Sequence, residues 1–180
     1  MSKNRLVRWA LALGCTAVAT AALAQEMPKP GPEHEKLGYF AGKWQFEGES
    51  KEGPMGPGGV IAYTETCELF EGGFAVVCES EGTNPMGATK TFAIMSYDTE
   101  KEAYIYHAVQ NNMPAFSAMG KREAKTWHWT TETKMGSETM YTRVTITETS
   151  PTSYTFKVEM STDKTNWMTA VEGKSTKTTS

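Results

Sequence analysis

The sequence predicts an all-β fold, an antiparallel up-and-down β-barrel of about ten strands with a short N-terminal helix. Three observations carry this. From Trp44 to nearly the last residue, short runs alternate apolar and polar side chains, the period of two that a half-buried strand requires. Brief turn signals separate the runs, which favours sequential antiparallel neighbours over crossovers. No stretch between them carries the i, i+3, i+4 repeat of an amphipathic helix. An even number of such strands can close on itself and leave no exposed edge.

Met1 to Ala24 reads as an export signal. Lys3, Arg5 and Arg8 form a basic start, Ala10 to Ala22 a small-residue apolar segment, and Ala22-Leu23-Ala24 an A-x-A cleavage site before Gln25. The apolar segment is too short for a membrane span. Cys15 follows Leu13-Gly14, but Ala12 at the third position before it does not fit a lipid-attachment box. The expected location is therefore periplasmic or secreted. Residues 25–32 form a Pro-rich flexible leader, and residues 33–180 form a single barrel domain. Glu33 to Ala41 suits a short helix, with Pro32 before it, Leu37 and Phe40 on one face and Gly42 after it.

The strand candidates are Lys43–Ser50, Gly59–Leu69, Phe74–Gly82, Thr89–Tyr97, Ala103–Asn111, Phe116–Arg122, Thr126–Lys134, Glu138–Thr149, Ser153–Thr162 and Asn166–Lys177. Several assign their faces plainly. Trp44 and Phe46 oppose Gln45, Glu47 and Glu49; Tyr154, Phe156, Val158 and Met160 oppose Thr155, Lys157 and Glu159. Met140, Thr142, Val144 and Ile146 share a face, which sends Arg143 outward. In Ala103–Asn111 the choice stays open: Tyr104, Tyr106 and Ala108 lie on one face, Ile105, His107 and Val109 on the other.

Signal removal takes away three basic residues and no acidic one, leaving 15 Lys+Arg against 21 Asp+Glu, a net charge of −6 instead of −3. Acidity spread without a basic stripe argues against nucleic acid as a partner. Two cysteines remain, Cys67 and Cys78, and in an oxidising compartment a disulfide is expected. A hairpin centred on Gly72-Gly73 pairs residues whose numbers sum to 145, Cys67 with Cys78 among them. A four-residue loop, Glu71 to Phe74, places the cysteines in the closer, non-hydrogen-bonded type of pair.

In an up-and-down barrel, alternate connections gather at one end. One set consists of tight polar turns. The other comprises Lys51–Gly58, Thr83–Ala88, Asn112–Ala115, Met135–Ser137 and Asp163–Thr165, and four of these five carry methionine beside Gly or Pro. The expectation is a looser mouth lined by Met55, Met86 and Met113. Thioethers recur at permissive hydrophobic binding surfaces, and they also fill irregular gaps over a core.

No catalytic motif is present: no G-x-S-x-G, P-loop, G-x-G-x-x-G after a strand, or H-E-x-x-H. The histidines are scattered. His34 is expected to be solvated, His128 points outward if Trp127 and Trp129 point inward, and His107 is the one that can lie inside. About eight strands leave an interior just filled by side chains or able to hold one small ligand, so about ten favour a pocket. The candidate ligand-binding residues are Trp44, Phe46, Tyr104, Tyr106, His107, Trp127 and Trp129 in the interior, with Met55, Met86 and Met113 at the mouth.

The segment His34-Glu35-Lys36-Leu37-Gly38-Tyr39-Phe40-Ala41-Gly42-Lys43-Trp44, a short helix running into G-x-W, resembles the opening of calycin-like barrels. With Glu71-Gly72-Gly73 and Ser96-Tyr97-Asp98, the chain resembles the bacterial domain-of-unknown-function family 1579. That resemblance implies a calycin-like barrel distantly similar to nitrobindin haem-binding barrels and to lipocalins, with no catalytic residue to carry over. Haem proteins of that kind take their iron ligand from a histidine near the C-terminus, and Asn166 to Ser180 contains none. Copper lacks an M-x-x-M or His-Met cluster. No cofactor is expected.

The leading expectation is an exported, non-catalytic barrel binding a small hydrophobic or aromatic molecule in its interior. One alternative is an envelope interaction module that docks a protein through its Met-rich loops. Another is a barrel enzyme using His107 with a neighbouring tyrosine, which requires His107 inside a cleft. The sequence does not define an oligomeric state.

Overall fold

The structure is a computed structural model that describes residues 28–53 and 56–178. The expected export signal, the first residues of the expected leader and Met55 lie outside the described residues. The chain enters through a helix, α1 (Pro32–Lys36), and a 3-10 turn, Leu37–Phe40. The expected single helix over Glu33–Ala41 is thus split, with Gly38 in its tighter second half.

Ten strands follow: β1 (Gly42–Ser50), β2 (Gly59–Leu69), β3 (Ala75–Asn84), β4 (Gly87–Asp98), β5 (Ala103–Gln110), β6 (Met113–Glu123), β7 (Thr126–Met135), β8 (Glu138–Ser150), β9 (Ser153–Ser161) and β10 (Met168–Lys177). Each pairs antiparallel with its neighbours in sequence, and β10 returns to β1, so the barrel is closed. The closing register sets Trp44 opposite Lys177 and Phe46 opposite Ser175. In the β2–β3 hairpin Cys67 faces Cys78, and Phe70 N–H donates to Ala75 C=O, which leaves Glu71–Phe74 as the loop. The two Cα atoms are 4.1 Å apart, the short spacing of a non-hydrogen-bonded pair, and the cysteines form a disulfide.

The two ends of the barrel differ. The N-terminal segment plugs one end: Leu37 and Phe40 are buried, and Phe40 packs against Trp127 at 5.0 Å and Tyr154 at 6.1 Å. Hydrogen bonds fix the plug. Trp44 Nε1–H donates to Phe40 C=O (2.7 Å), Tyr104 O–H to Glu33 Oε2 (2.5 Å), and Tyr39 O–H to Ser153 C=O (2.8 Å). Glu148 is half-buried beside it, accepting from Arg122 Nη2 (2.9 Å) and Trp127 Nε1 (2.8 Å). His34, expected to be solvated, is buried here instead. Gly31 N–H donates to its Nδ1, and its ring meets the edges of Phe74 and Tyr97.

The opposite end carries the Met-bearing connections and is less loose than the sequence suggested. The β3–β4 ladder runs to Asn84 and Gly87, the β5–β6 ladder to Gln110 and Met113, and the β7–β8 ladder to Met135 and Glu138. Each connection shrinks to two residues because backbone pairing continues through segments rich in turn-forming residues. Asn84 Oδ1 caps one such turn by accepting from Met86 N–H (2.8 Å), and Gly87 supplies the left-handed backbone, with φ of 117°.

Candidate ligand chamber

Inside the barrel, inward-facing side chains above the plug leave a cavity of about 460 Å³, within the range of small-molecule sites. Its lower wall includes Phe40, Cys78, Trp129 and Tyr154; its upper wall reaches Pro57, Met86, Met113 and Met135 at the open end. Thioethers are not confined to the rim, since Met95, Met140 and Met160 also line the cavity. The bulge between Thr169 and Val171 places both Ala170 and Val171 on the wall.

Bare backbone makes room for the aromatic lining. Gly120 lies opposite Trp129 across β6–β7, and a Cβ there would sit 2.5 Å from the indole. Gly82 meets the neighbouring strand itself: a Cβ there would run into Ala62 C=O and sit 2.5 Å from Tyr63 Cα. Glycine at 120 lets the Trp129 ring press against the sheet, and glycine at 82 lets β2 and β3 approach closely.

The polar content of the chamber is small and uneven. Gln110, Thr131, Thr133 and Thr142 lie on its wall, with Tyr63, Tyr106 and Tyr154. Burial pushes all three phenols above their ordinary range, so they remain protonated hydroxyls. Glu65 on β2 is the carboxyl of the chamber wall. It is open to the cavity and shielded from bulk water by the barrel, and this desolvation raises it from an ordinary 4.5 to about 7. No hydrogen bond or opposite charge from a described residue offsets that rise.

The sequence-predicted residues divide into three groups. Tyr106, Trp129, Met86 and Met113 line the chamber. Trp44, Phe46, Tyr104 and Trp127 point inward but are buried in packing around and below it. Phe46 stacks on Tyr63 at 4.5 Å with its ring edge over Gly173, while Tyr104 and Trp127 meet at 4.8 Å beneath the cavity floor. His107 is corrected outright. Tyr104, Tyr106 and Ala108 fill the interior, so the alternation of β5 sends His107 to the exposed face, where Nδ1 lies 2.7 Å from Ser117 Oγ. The enzyme reading that required an internal His107 loses its geometry.

Glu65 was missed by sequence reasoning, although a signal existed: it shares parity with Tyr63 and Cys67, and a disulfide facing inward carries its i−2 neighbour with it. Among the described residues, the one cluster of three groups with metal-ligand chemistry is Glu65, Cys67 and Cys78. The disulfide occupies both sulfurs of that cluster, which leaves one carboxylate, too few donors for a metal centre.

Residues 29–177 match the profile of the family described as protein of unknown function, DUF1579. The chain belongs to that family. Among solved structures, this DUF1579 barrel is similar to an S-type phycobiliprotein lyase from Guillardia theta, with a TM-score of 0.56 and 12% identity. The likeness covers 82% of this chain and 93% of that one, and it shows a shared lipocalin-like fold. No curated protein matches the DUF1579 sequence at a significant level.

Proposed function

We propose that this DUF1579 protein is an exported, non-catalytic barrel that holds one small apolar or aromatic molecule in its chamber. The observation that carries the reading is the cavity itself: about 460 Å³, walled by aromatic rings and thioethers, plugged at one end and open at the other. A protein that needed only a core would have filled it, because interiors pack without such voids. The likeness to a phycobiliprotein lyase barrel is in keeping with small-molecule handling by this fold. Export rests on the basic, apolar and A-x-A pattern of Met1–Ala24.

The test is native mass spectrometry of the protein isolated from the periplasm of cells that make it. The expected result is a chain beginning at Gln25 with one non-covalent adduct. A chain with no adduct under conditions that keep the disulfide intact would count against the carrier reading. A second reading has its own observation: Met86 and Met113 line the mouth yet remain 60% and 38% exposed, as a docking rim for a protein partner requires. Replacing both with lysine should abolish capture of a partner in that case, whereas a carrier would keep its guest with altered affinity.

A further inference from the structure

Building on the ligand-chamber reading, we propose that the guest is an apolar molecule bearing a basic nitrogen, and that Glu65 receives this nitrogen low in the chamber. A Glu65 carboxylate oxygen and both sulfurs of the Cys67–Cys78 disulfide lie within 4.8 Å of one another, and Cys78 and Phe40 share the cavity wall. The acid therefore sits near the plugged end and away from the rim.

The groups around Glu65 leave it without a counter-charge. From its own strand comes the Tyr63 phenol, from β5 that of Tyr106, and from β9 that of Tyr154, all neutral donors. From β3 comes Cys78, held in the disulfide. Among the described residues, the cation of the chamber wall is Lys51 at the rim, where it pairs with Glu49 and with Glu172 (3.1 Å). A neutral guest would leave the carboxyl in apolar surroundings, and an acidic guest would add a second negative charge beside it. An ammonium or protonated ring nitrogen turns the lone acid into an ion pair, the arrangement that makes a buried charge tolerable. The apolar wall then holds the body of the guest, and the acid fixes its orientation.

Protonation follows from the same geometry. In the empty chamber Glu65 keeps its proton up to about pH 7, and a cationic guest displaces that proton on binding. Affinity for a cation therefore rises as pH rises toward that value and levels off above it.

The test uses the full chain and three anthracenes of matched shape, bearing a methyl, an aminomethyl or a carboxylate group, with quenching of the protein's tryptophan fluorescence as readout. At about pH 8 the aminomethyl probe should bind wild type at least roughly tenfold tighter than the methyl probe. Below about pH 7 that advantage should shrink by up to about tenfold per pH unit, the limit for one displaced proton. Glu65→Gln should erase the advantage and leave methyl-probe binding in place, which also reports that the chamber is intact. Calorimetry of wild type in buffers of different ionisation enthalpy, near pH 6, should register proton release with the aminomethyl probe alone. Equal binding of the aminomethyl and methyl probes, a preference that survives Glu65→Gln, tightest binding of the carboxylate, or no proton release overturns the inference and leaves the carrier reading standing. Failure of all three probes to bind wild type removes the carrier reading and this inference with it.

Discussion

Glu65→Gln should make the protein more stable, and by an amount that depends on pH. The folded-state value near 7 lies above the ordinary 4.5, so the folded chain binds the proton more tightly than the unfolded chain. The stabilisation this provides is complete below pH 4.5 and is lost as pH rises through about 7. The interval between those values, at about 1.4 kcal/mol per pH unit, makes the folded wild type roughly 3 kcal/mol less stable above the window than below it. The glutamine side chain of the variant has no charge to desolvate, so the difference between variant and wild type should grow from near zero at pH 4.5 to that figure above pH 7. For a domain of this size it corresponds to a gain of about 6–12 °C in Tm. Urea titration of both proteins across the window measures it directly. Other shifted carboxylates do not obscure it: Arg143 and Lys157 hold Glu159 down to about 2, so its contribution changes only in more acid solution. A stability difference that stays constant with pH, or a wild type as stable at pH 8 as at pH 5, would refute the reasoning. It would mean that the carboxylate is hydrated or paired inside the barrel.

Two further outcomes follow from the walls of the chamber. Gly120→Ala brings a Cβ to 2.5 Å from the Trp129 ring, so the indole must swing into the cavity. Overpacking of this kind should cost about 1–3 kcal/mol in denaturant titration and weaken binding of the methyl-anthracene probe; unchanged binding would mean that Trp129 yields elsewhere. Reduction of the Cys67–Cys78 disulfide, which closes a hairpin of sequence separation 11, should lower stability by about 2–3 kcal/mol without unfolding the barrel, read as a shift of the urea midpoint in the presence of reductant.

The barrel was legible in the sequence because its information is local. Alternation in Trp44–Glu49 and Tyr154–Met160 assigns faces residue by residue, and Gly72-Gly73 fixes a hairpin register that carries Cys67 onto Cys78. Strand ends at the mouth were not legible, since Asn, Pro and Gly mark a turn without saying how far pairing runs into it; Met113–Ala115 is strand for this reason. Depth along the barrel axis was also hidden. Trp44 and Trp129 obey the same inward parity, yet one packs around the plug and the other lines the cavity, because only the N-terminal segment decides where the core ends. Glu65 fell between these limits. Alternation places it inside, but a carboxyl has so strong a surface preference that composition argues for the opposite face.

A second half-buried glutamate on the inner face of the sheet, Glu148, shows that shielding from water alone does not decide the effect of substitution. Glu148 accepts from Arg122 at Nε (3.1 Å) and Nη2 (2.9 Å) and from the Trp127 indole (2.8 Å), with the Glu148 side chain 9% and the Arg122 side chain 18% exposed. Its charge is needed where it stands. Glu148→Gln keeps the shape and one acceptor but leaves Arg122 without its counter-ion, and breaking a buried pair typically costs about 3–5 kcal/mol. Residual exposure of both side chains places the expected loss near the lower figure. The same chemical change, Glu to Gln, at two inward-facing positions of one barrel should therefore act in opposite directions near pH 8: destabilising at Glu148, stabilising at Glu65. Urea midpoints of the two variants against wild type decide it. If both fall, Glu65 has a stabilising partner within the fold and is not held ready for a guest; if both rise, the Arg122–Glu148 pair does not anchor the plug.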